Sequence, residues 1–529
     1  MTIHWGLDLG TSNTTICDDR GGTPRVLHLP GLSRLEPLTQ TPVVPSCVCV
    51  VDSGGDQVLI GQEAVDYNWD GRAQGWAGGF KRELSRDPSQ ELVRIGDRRY
   101  TARDVARLFV DRLVDAVERA TDQPVADLTV AVPSDAFETY RAELRAAYEA
   151  IDDRGWGRRI WDRLRGAPAA RRIRFVDEPV AAALGYGVDV AGPTTLVAFD
   201  FGAGTMEAAL VRTRPGESVR MGHADVLAKQ GIARGGRDVD AWILDALVPT
   251  ALHDWPEWSV ALHWEAERTK LLASAGREGT FTFRNETWGH LDRAGLEGLL
   301  VQRGLIAEMR GLLARLMEDA RNHHGIGATD VEHVLLEGGS TLLPGVREVV
   351  SEVFGRDRVR EWLPFESVAR GASLFGAGGR VEDFIYHDYG LRVRRDDGRE
   401  EYELLIEGGT RFPTPDDHVV RYYAPGFDGQ EALHLFVCEV GRVAGRSVSW
   451  EERSNGNRYY RPATEGERAF CPCLNEADPA LPLDPPGSGT APRLRVSFMI
   501  DADRWLCATV HDLQRKIDLR VREPVVRLL

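Results

Sequence analysis

A change of hydrophobic period near residue 389 is the feature that most constrains the fold of this 529-residue chain. Upstream of it, apolar strands alternate with helical stripes. Val105, Leu108, Phe109, Leu113 and Val117 recur at helical spacing behind Thr101, a residue suited to an N-cap. Leu128–Val132 is a continuous apolar run stopped by Pro133, and Arg141, Leu144 and Tyr148 lie on the helix expected after it. The alternation continues through Arg174–Val176, Pro179–Gly185, Thr195–Phe201, Val239–Leu247 and Leu305–Asn322, which predicts an α/β architecture. Downstream, helical spacing disappears. Short alternating runs replace it at Leu391–Arg394, Glu403–Ile406, Val419–Tyr423, Leu433–Val437, Val448–Glu451, Leu494–Ile500 and Trp505–Val510, the pattern of an all-β sandwich. Pro479–Pro492, with five prolines and two glycines, reads as a loop inside it.

Composition removes several function classes. Only Lys81, Lys229, Lys270 and Lys516 are lysines among 65 basic residues. A Walker-type phosphate loop needs Gly-Lys before Ser or Thr, yet these four follow Phe80, Ala228, Thr269 and Arg515. The protein-kinase lysine segment and His-Arg-Asp loop are missing as well. The net charge of −16 argues against a general nucleic-acid binder, which needs a positive face to displace counterions. No stretch approaches the ~20 apolar residues of a membrane span, and the start lacks the pattern of a signal peptide, so a cytoplasmic location with no membrane partner is expected. The seven cysteines include two pairs with one intervening residue, Cys47/Cys49 and Cys471/Cys473. Neither pair has the partners of a tetrahedral zinc site, and reduced structural thiols are expected. Seven arginines and two tryptophans between residues 151 and 172 read as a solvated insertion.

Five separated segments have turn chemistry suited to a nucleotide. Gly6-Leu7-Asp8-Leu9 runs into Gly10-Thr11-Ser12-Asn13, and Asp200-Phe201 runs into Gly202-Ala203-Gly204-Thr205. In each, a strand ends in a glycine turn that lets backbone N–H groups approach an anion. Two such acid-tipped hairpins facing each other could hold a triphosphate, with Asp8 and Asp200 supporting a hydrated Mg²⁺. Gly235-Gly236 precedes a helix. Glu267, Lys270 and Ser274 share one helical face, suitable for reaching a ribose and base edge. Last, Glu337-Gly338-Gly339-Ser340 closes a buried strand.

In order and wording these segments resemble the actin-fold ATPases, and more closely the heat-shock protein 70 (DnaK-type) chaperones. Val176-Asp177-Glu178-Pro179-Val180-Ala181-Ala182-Ala183 looks like that family's connecting strand and helix, and Phe80-Lys81-Arg82 falls where its catalytic lysine lies. The resemblance implies an actin-like two-lobed ATPase domain over 1–380, a linker over 381–389 and a β-sandwich substrate-binding-like domain over 390–529, without the family's helical lid. It implies ATP/ADP and Mg²⁺ as cofactors. Lys81 and Glu178 would align water and γ-phosphate, Asp8 and Asp200 would support the metal shell, and Thr205 would contact the transition state. Pro133 and Arg141 match a pair that couples nucleotide state to domain docking, and Leu433 falls where the peptide pocket is lined.

The departures bear on rate. Glu207 stands where the family has a catalytic aspartate, and Ala203 replaces the middle glycine of the turn. Leu271 and Leu342 replace two arginines that sandwich the adenine. An added methylene moves an aligned carboxylate by about one bond length, so ATP binding with slow hydrolysis is expected. The implied partners are unfolded or extended peptide segments, with J-type and nucleotide-exchange co-chaperones. The alternative is a non-foldase nucleotide switch or assembly adaptor with one dedicated protein partner. Sugar kinases and filament formers of the same superfamily are disfavoured by the β-sandwich.

Overall fold

The computed structural model describes the chain except residues 1–2, 21–22, 53–56, 70, 134–137, 154–170, 191, 214–223, 249–258, 379–384, 386–387, 395–399, 409, 441–449, 454, 463–470, 472, 477–479, 502–504 and 529. Most of the linker expected at 381–389 and most of the arginine-rich segment fall outside the described residues. The chain divides into two compact units, Met1–Gly379 and Arg380–Leu529.

The first unit contains two mixed sheets built to one plan. In one, strand His4–Leu9 pairs antiparallel with Asn13–Asp19 and parallel with Asp127–Val132, which in turn pairs parallel with Arg172–Asp177. In the other, Thr195–Phe201 pairs antiparallel with Met206–Thr213 and parallel with His333–Glu337. Each central strand thus has a hairpin partner on one side and a parallel crossover partner on the other. Each also carries an aspartate one residue before its end, Asp8 or Asp200. This is the actin-like α/β arrangement the sequence predicts.

Helices cover both sheets for local reasons. Helix Ala102–Thr121 begins with a capping box: Asp104 N donates to Thr101 Oγ1 at 3.3 Å, and Thr101 N donates to Asp104 Oδ2 at 2.9 Å. Val105, Phe109, Leu113 and Val117 form its buried face, each adding ~2 kcal/mol by leaving water. Leu108 is only half-buried. Helix Ser367–Gly378 packs on helix Glu178–Gly185 and on strand His4–Leu9. The approach needs glycine, because a Cβ at Gly371 would run into Ala181 O and one at Gly6 into Ala369 O. That contact fixes the strand carrying Asp8 against the helix carrying Glu178.

Arg171 corrects part of the insertion reading. Rather than being solvated, its guanidinium is 7% exposed and donates to Glu118 Oε1 at 2.8 Å and to Val125 O at 2.7 Å. The buried Glu118 carboxylate and the Val125 carbonyl, which also accepts from Tyr148 Oη, draw it inward.

The second unit is a β-sandwich. One sheet orders Val437–Val440, Asp388–Arg394, Glu400–Ile406, Arg458–Tyr460 and Glu451–Glu452. The other orders Val419–Tyr423, Leu494–Ile500, Trp505–Asp512 and Ile517–Arg527. Tyr389, Leu391 and Ile406 from the first sheet share one core with Val496, Phe498 and Val510 from the second. Among the described residues no helix follows Gly378. The expected run Leu433–Val437 is two strands, Gln430–Leu433 and Val437–Val440; Leu435 and Val437 enter the core while Leu433 is half-buried at its margin. The proline-rich stretch is not all loop either. Leu481–Gly487 forms a strand with Gln430–Leu433 alone, where prolines need no second partner for their missing N–H groups.

Candidate functional site

The two hairpin turns and three further segments of the first unit converge on one acidic site. Lys81, in the first turn of helix Phe80–Arg86, donates from Nζ to Glu178 Oε1 at 3.1 Å, and Glu178 opens the helix that follows strand Arg172–Asp177. Burial works against the ammonium, but Glu178, Tyr140 and Asp8 outweigh it and hold the Lys81 pKa well above the usual lysine range. Burial pushes Asp8 up to about 7, with Lys81 opposing and Glu178 adding to the rise. Asp200 is crowded by protein and by the charges of Glu178 and Glu207, which raises its pKa, while its accessibility to water screens the effect.

A fifth carboxylate belongs to this group. Glu337 ends strand His333–Glu337 directly beside Asp200 in parallel register, and is 7% exposed. Burial first, then the charges of Asp200, Glu178 and Asp8, raise its pKa far above the usual carboxylate range. Among the described residues Glu337 Oε1 has no hydrogen-bond partner. In sequence this residue reads only as a strand end, since an acid before Gly-Gly reads as turn chemistry. Its placement depends on pairing with a strand more than a hundred residues away.

The second turn is built as a cradle. Gly202 N donates to Thr205 O at 3.0 Å, closing the turn. Gly235 and Gly236 then bring the start of helix Gly236–Leu247 against it: Gly236 N donates to Gly202 O at 3.1 Å and Arg237 N to Ala203 O at 2.8 Å. A Cβ at Gly235 would occupy the backbone of Ala203. Ser340 Oγ donates to Gly202 O at 2.9 Å, and Gly338, at φ +82°, passes so close that a Cβ would meet the carboxylate of Asp200. Thr205 and Gly204 stay exposed, and a Cβ at Gly204 would meet nothing. In the first turn, Gly10 lies against Asn13 O, and Thr11 is exposed. Ser12 Oγ and Asn13 Oδ1 are buried without partners among the described residues.

The helical face expected to read ribose and base splits three ways. Lys270 donates to Gly236 O at 3.1 Å and pairs with Asp240 at 2.8 Å. Glu267 lies 3.5 Å from Arg34, and Ser274 Oγ is buried without a partner among the described residues. Leu271 and Leu342 are half-buried. Glu207, directly opposite Asp200 in the hairpin, forms an ion pair with Lys229 at 3.1 Å. Sequence reasoning assigned no role to Lys229.

These residues suit a polyphosphate carried with a hydrated cation. Among the described residues, Asp8, Glu178, Asp200, Glu207 and Glu337 have Lys81 and Lys229 as their balancing lysines, and a phosphate alone would meet repulsion. Among the described residues no group of three His, Cys, Asp or Glu side chains is placed to hold a metal directly. Mg²⁺ retaining its own waters fits this spread of carboxylates, because they would accept from those waters. The unpartnered Ser12 Oγ supplies a donor for an anion at the first turn. Arg141 is fully buried and 3.4 Å from Asp177, whose other oxygen accepts from Ala224 N at 3.4 Å. No helix among the described residues is long and apolar enough to cross a membrane.

A family model described as Hsp70 protein matches residues 57–439. Among curated relatives, the chaperone protein HscA homolog of Verminephrobacter eiseniae (strain EF01-2) is 27% identical over 534 residues, covering 96% of this chain and 76% of that protein.

Proposed function

Because the chain belongs to the Hsp70 family, we propose that it binds ATP with Mg²⁺ at this site, hydrolyses it slowly, and uses nucleotide state to control binding of peptide or protein by the β-sandwich unit. The observation that carries the proposal is the Lys81–Glu178 pair set among Asp8, Asp200 and Glu337 beside two glycine turns. When bound, the cation would neutralise charge between the phosphates and the carboxylates. Lys81 presents a compact, permanently charged ammonium to the terminal phosphate. Glu178 orients that ammonium and offers its second oxygen to the attacking water. The Gly202–Thr205 turn presents backbone N–H groups and the Thr205 hydroxyl to phosphate oxygens.

Slow turnover rests on Glu207. Its longer side chain is held by Lys229, so the carboxylate is less available to align water than a shorter, unpaired one. The same observation favours a second reading, a nucleotide-dependent adaptor with one dedicated protein partner, for which slow turnover is an advantage. Single-turnover ATP hydrolysis with and without an unfolded client separates the two. Stimulation by many extended apolar peptides is the result expected of the chaperone, and a response to few or none is expected of the adaptor.

A further inference from the structure

Three of the seven cysteines meet in the β-sandwich unit, Cys438 from one part of the sequence and Cys471 and Cys473 from another. Cys438 and Cys471 are buried, Cys473 is half-buried, and all three pack with Tyr402, Trp450 and Tyr460. Cys438, within strand Val437–Val440, forms an isolated antiparallel bridge with Cys473. Its hydrogen-bond pattern fixes the geometry. Leu474 N donates to Val437 O at 2.9 Å, a bond between the residue after Cys473 and the residue before Cys438. The two cysteines are therefore a non-hydrogen-bonded antiparallel pair, in which opposed Cα atoms stand about 4.5 Å apart and side chains approach most closely. That separation lies within the range a disulfide spans without backbone movement. Asn475 locks the register by accepting from Val437 N at 2.8 Å and donating to Leu435 O at 2.8 Å.

We infer that Cys473 and Cys438 form an oxidant-reactive dithiol, in which a peroxide oxidises Cys473 and Cys438 resolves the product to a disulfide. Access sets the order, since Cys473 is partly open to solvent and Cys438 is 0% exposed. The Cys473 sulfur attacks one peroxide oxygen, the O–O bond breaks, and hydroxide leaves. Cys473 is thereby oxidised by two electrons to the sulfenic acid. The Cys438 sulfur then attacks that sulfur; the S–S bond forms, the S–O bond breaks, and the hydroxyl departs as water with the Cys438 proton. Two thiols and one hydrogen peroxide give one disulfide and two waters. Charge favours the same order. The hydrogen bond with Cys438, the Asn475 backbone and Arg392 together outweigh burial, so the Cys473 pKa is lowered and that of Cys438 raised. The antiparallel bridge places Cys438, and not Cys471, directly opposite Cys473, which makes Cys438 the partner. Cys17 and Cys47 provide internal controls: burial raises both, Cys47 to about 12, and keeps them protonated.

The test treats the full chain with hydrogen peroxide, blocks remaining thiols with iodoacetamide, and maps linked peptides by mass spectrometry without reduction. A Cys438–Cys473 cross-link reversed by dithiothreitol is expected. Recovery of both residues as alkylated thiols, or a dominant Cys438–Cys471 cross-link, overturns the assignment. In Cys438→Ser the sulfenic acid on Cys473 should persist and be captured by dimedone. If that variant does not fold, labelling of the native wild-type chain decides: Cys473 should react at least about tenfold faster than Cys17 and Cys47, and equal rates overturn the proposal.

Discussion

Lys229 Nζ lies 3.1 Å from Glu207 Oε2 across two antiparallel strands. The register explains the reach. Glu207 faces Gly231, which has no side chain, so Lys229, two residues away on the same face, extends diagonally over the gap. One of only four lysines is thereby spent on the carboxylate that the family resemblance places at the reacting phosphate.

Restoring the shorter acid should therefore speed the reaction. Glu207→Asp withdraws the carboxylate from Lys229, and single-turnover hydrolysis is expected to rise by about tenfold, equivalent to ~1.4 kcal/mol of barrier. Lys229→Met should raise it in the same direction. An unchanged or slower rate in both variants would show that the pair does not limit turnover.

Lys81→Arg tests the other end of the site. A planar guanidinium cannot reproduce a compact ammonium between Glu178 and a phosphate oxygen. Hydrolysis should fall by about a hundredfold or more while ATP affinity changes by only a few-fold. A fully active variant would remove Lys81 from the mechanism.

Nucleotide binding should depend on pH through Asp8 and, more weakly, through the solvent-screened Asp200. Asp8 is raised from 3.8 to about 7, so between those values the folded protein holds a proton that the unfolded chain has lost. Stability without ligand therefore declines as pH rises through that window. Binding of Mg²⁺ with ATP favours the ionised carboxylates, so affinity should increase from pH 6 to 8 with proton release. Calorimetry in two buffers of different ionisation enthalpy measures the release; identical apparent enthalpies would show that no proton is released.

In the β-sandwich, Arg493 and Asp512 form a two-pronged buried ion pair with both contacts at 2.8 Å. Arg493→Ala leaves Asp512 buried with backbone donors but no cation, and should cost about 3–5 kcal/mol in urea unfolding of the β-sandwich unit. The Asp512 pKa is lowered: burial opposes this but is outweighed by Arg493 and backbone donors, so its contribution is present above pH ~4 and lost as pH falls below it. A loss below 1 kcal/mol would mean that water replaces the guanidinium.

The elements with strong local signals were legible in the sequence: both acid-tipped hairpins, the Thr101-capped helix, and the switch to short strands near residue 389. What was not legible depends on long-range pairing. Glu337 becomes a site residue only because its strand lies parallel beside Asp200, and Lys229 only because Gly231 opposite Glu207 leaves a gap. Local periodicity carries no information about either register. The proline-rich stretch misled in the other direction, since Leu481–Gly487 pairs on one side only and so tolerates residues that would break a central strand.

The most direct test of the central claim is calorimetric titration of the full chain with ATP in the presence of Mg²⁺. One site per chain is predicted, with affinity lost when Mg²⁺ is chelated and weakened when Glu337→Leu removes one carboxylate from the cation's surroundings. Absence of binding with Mg²⁺ present, in protein shown to be folded by its unfolding transition, would contradict the account.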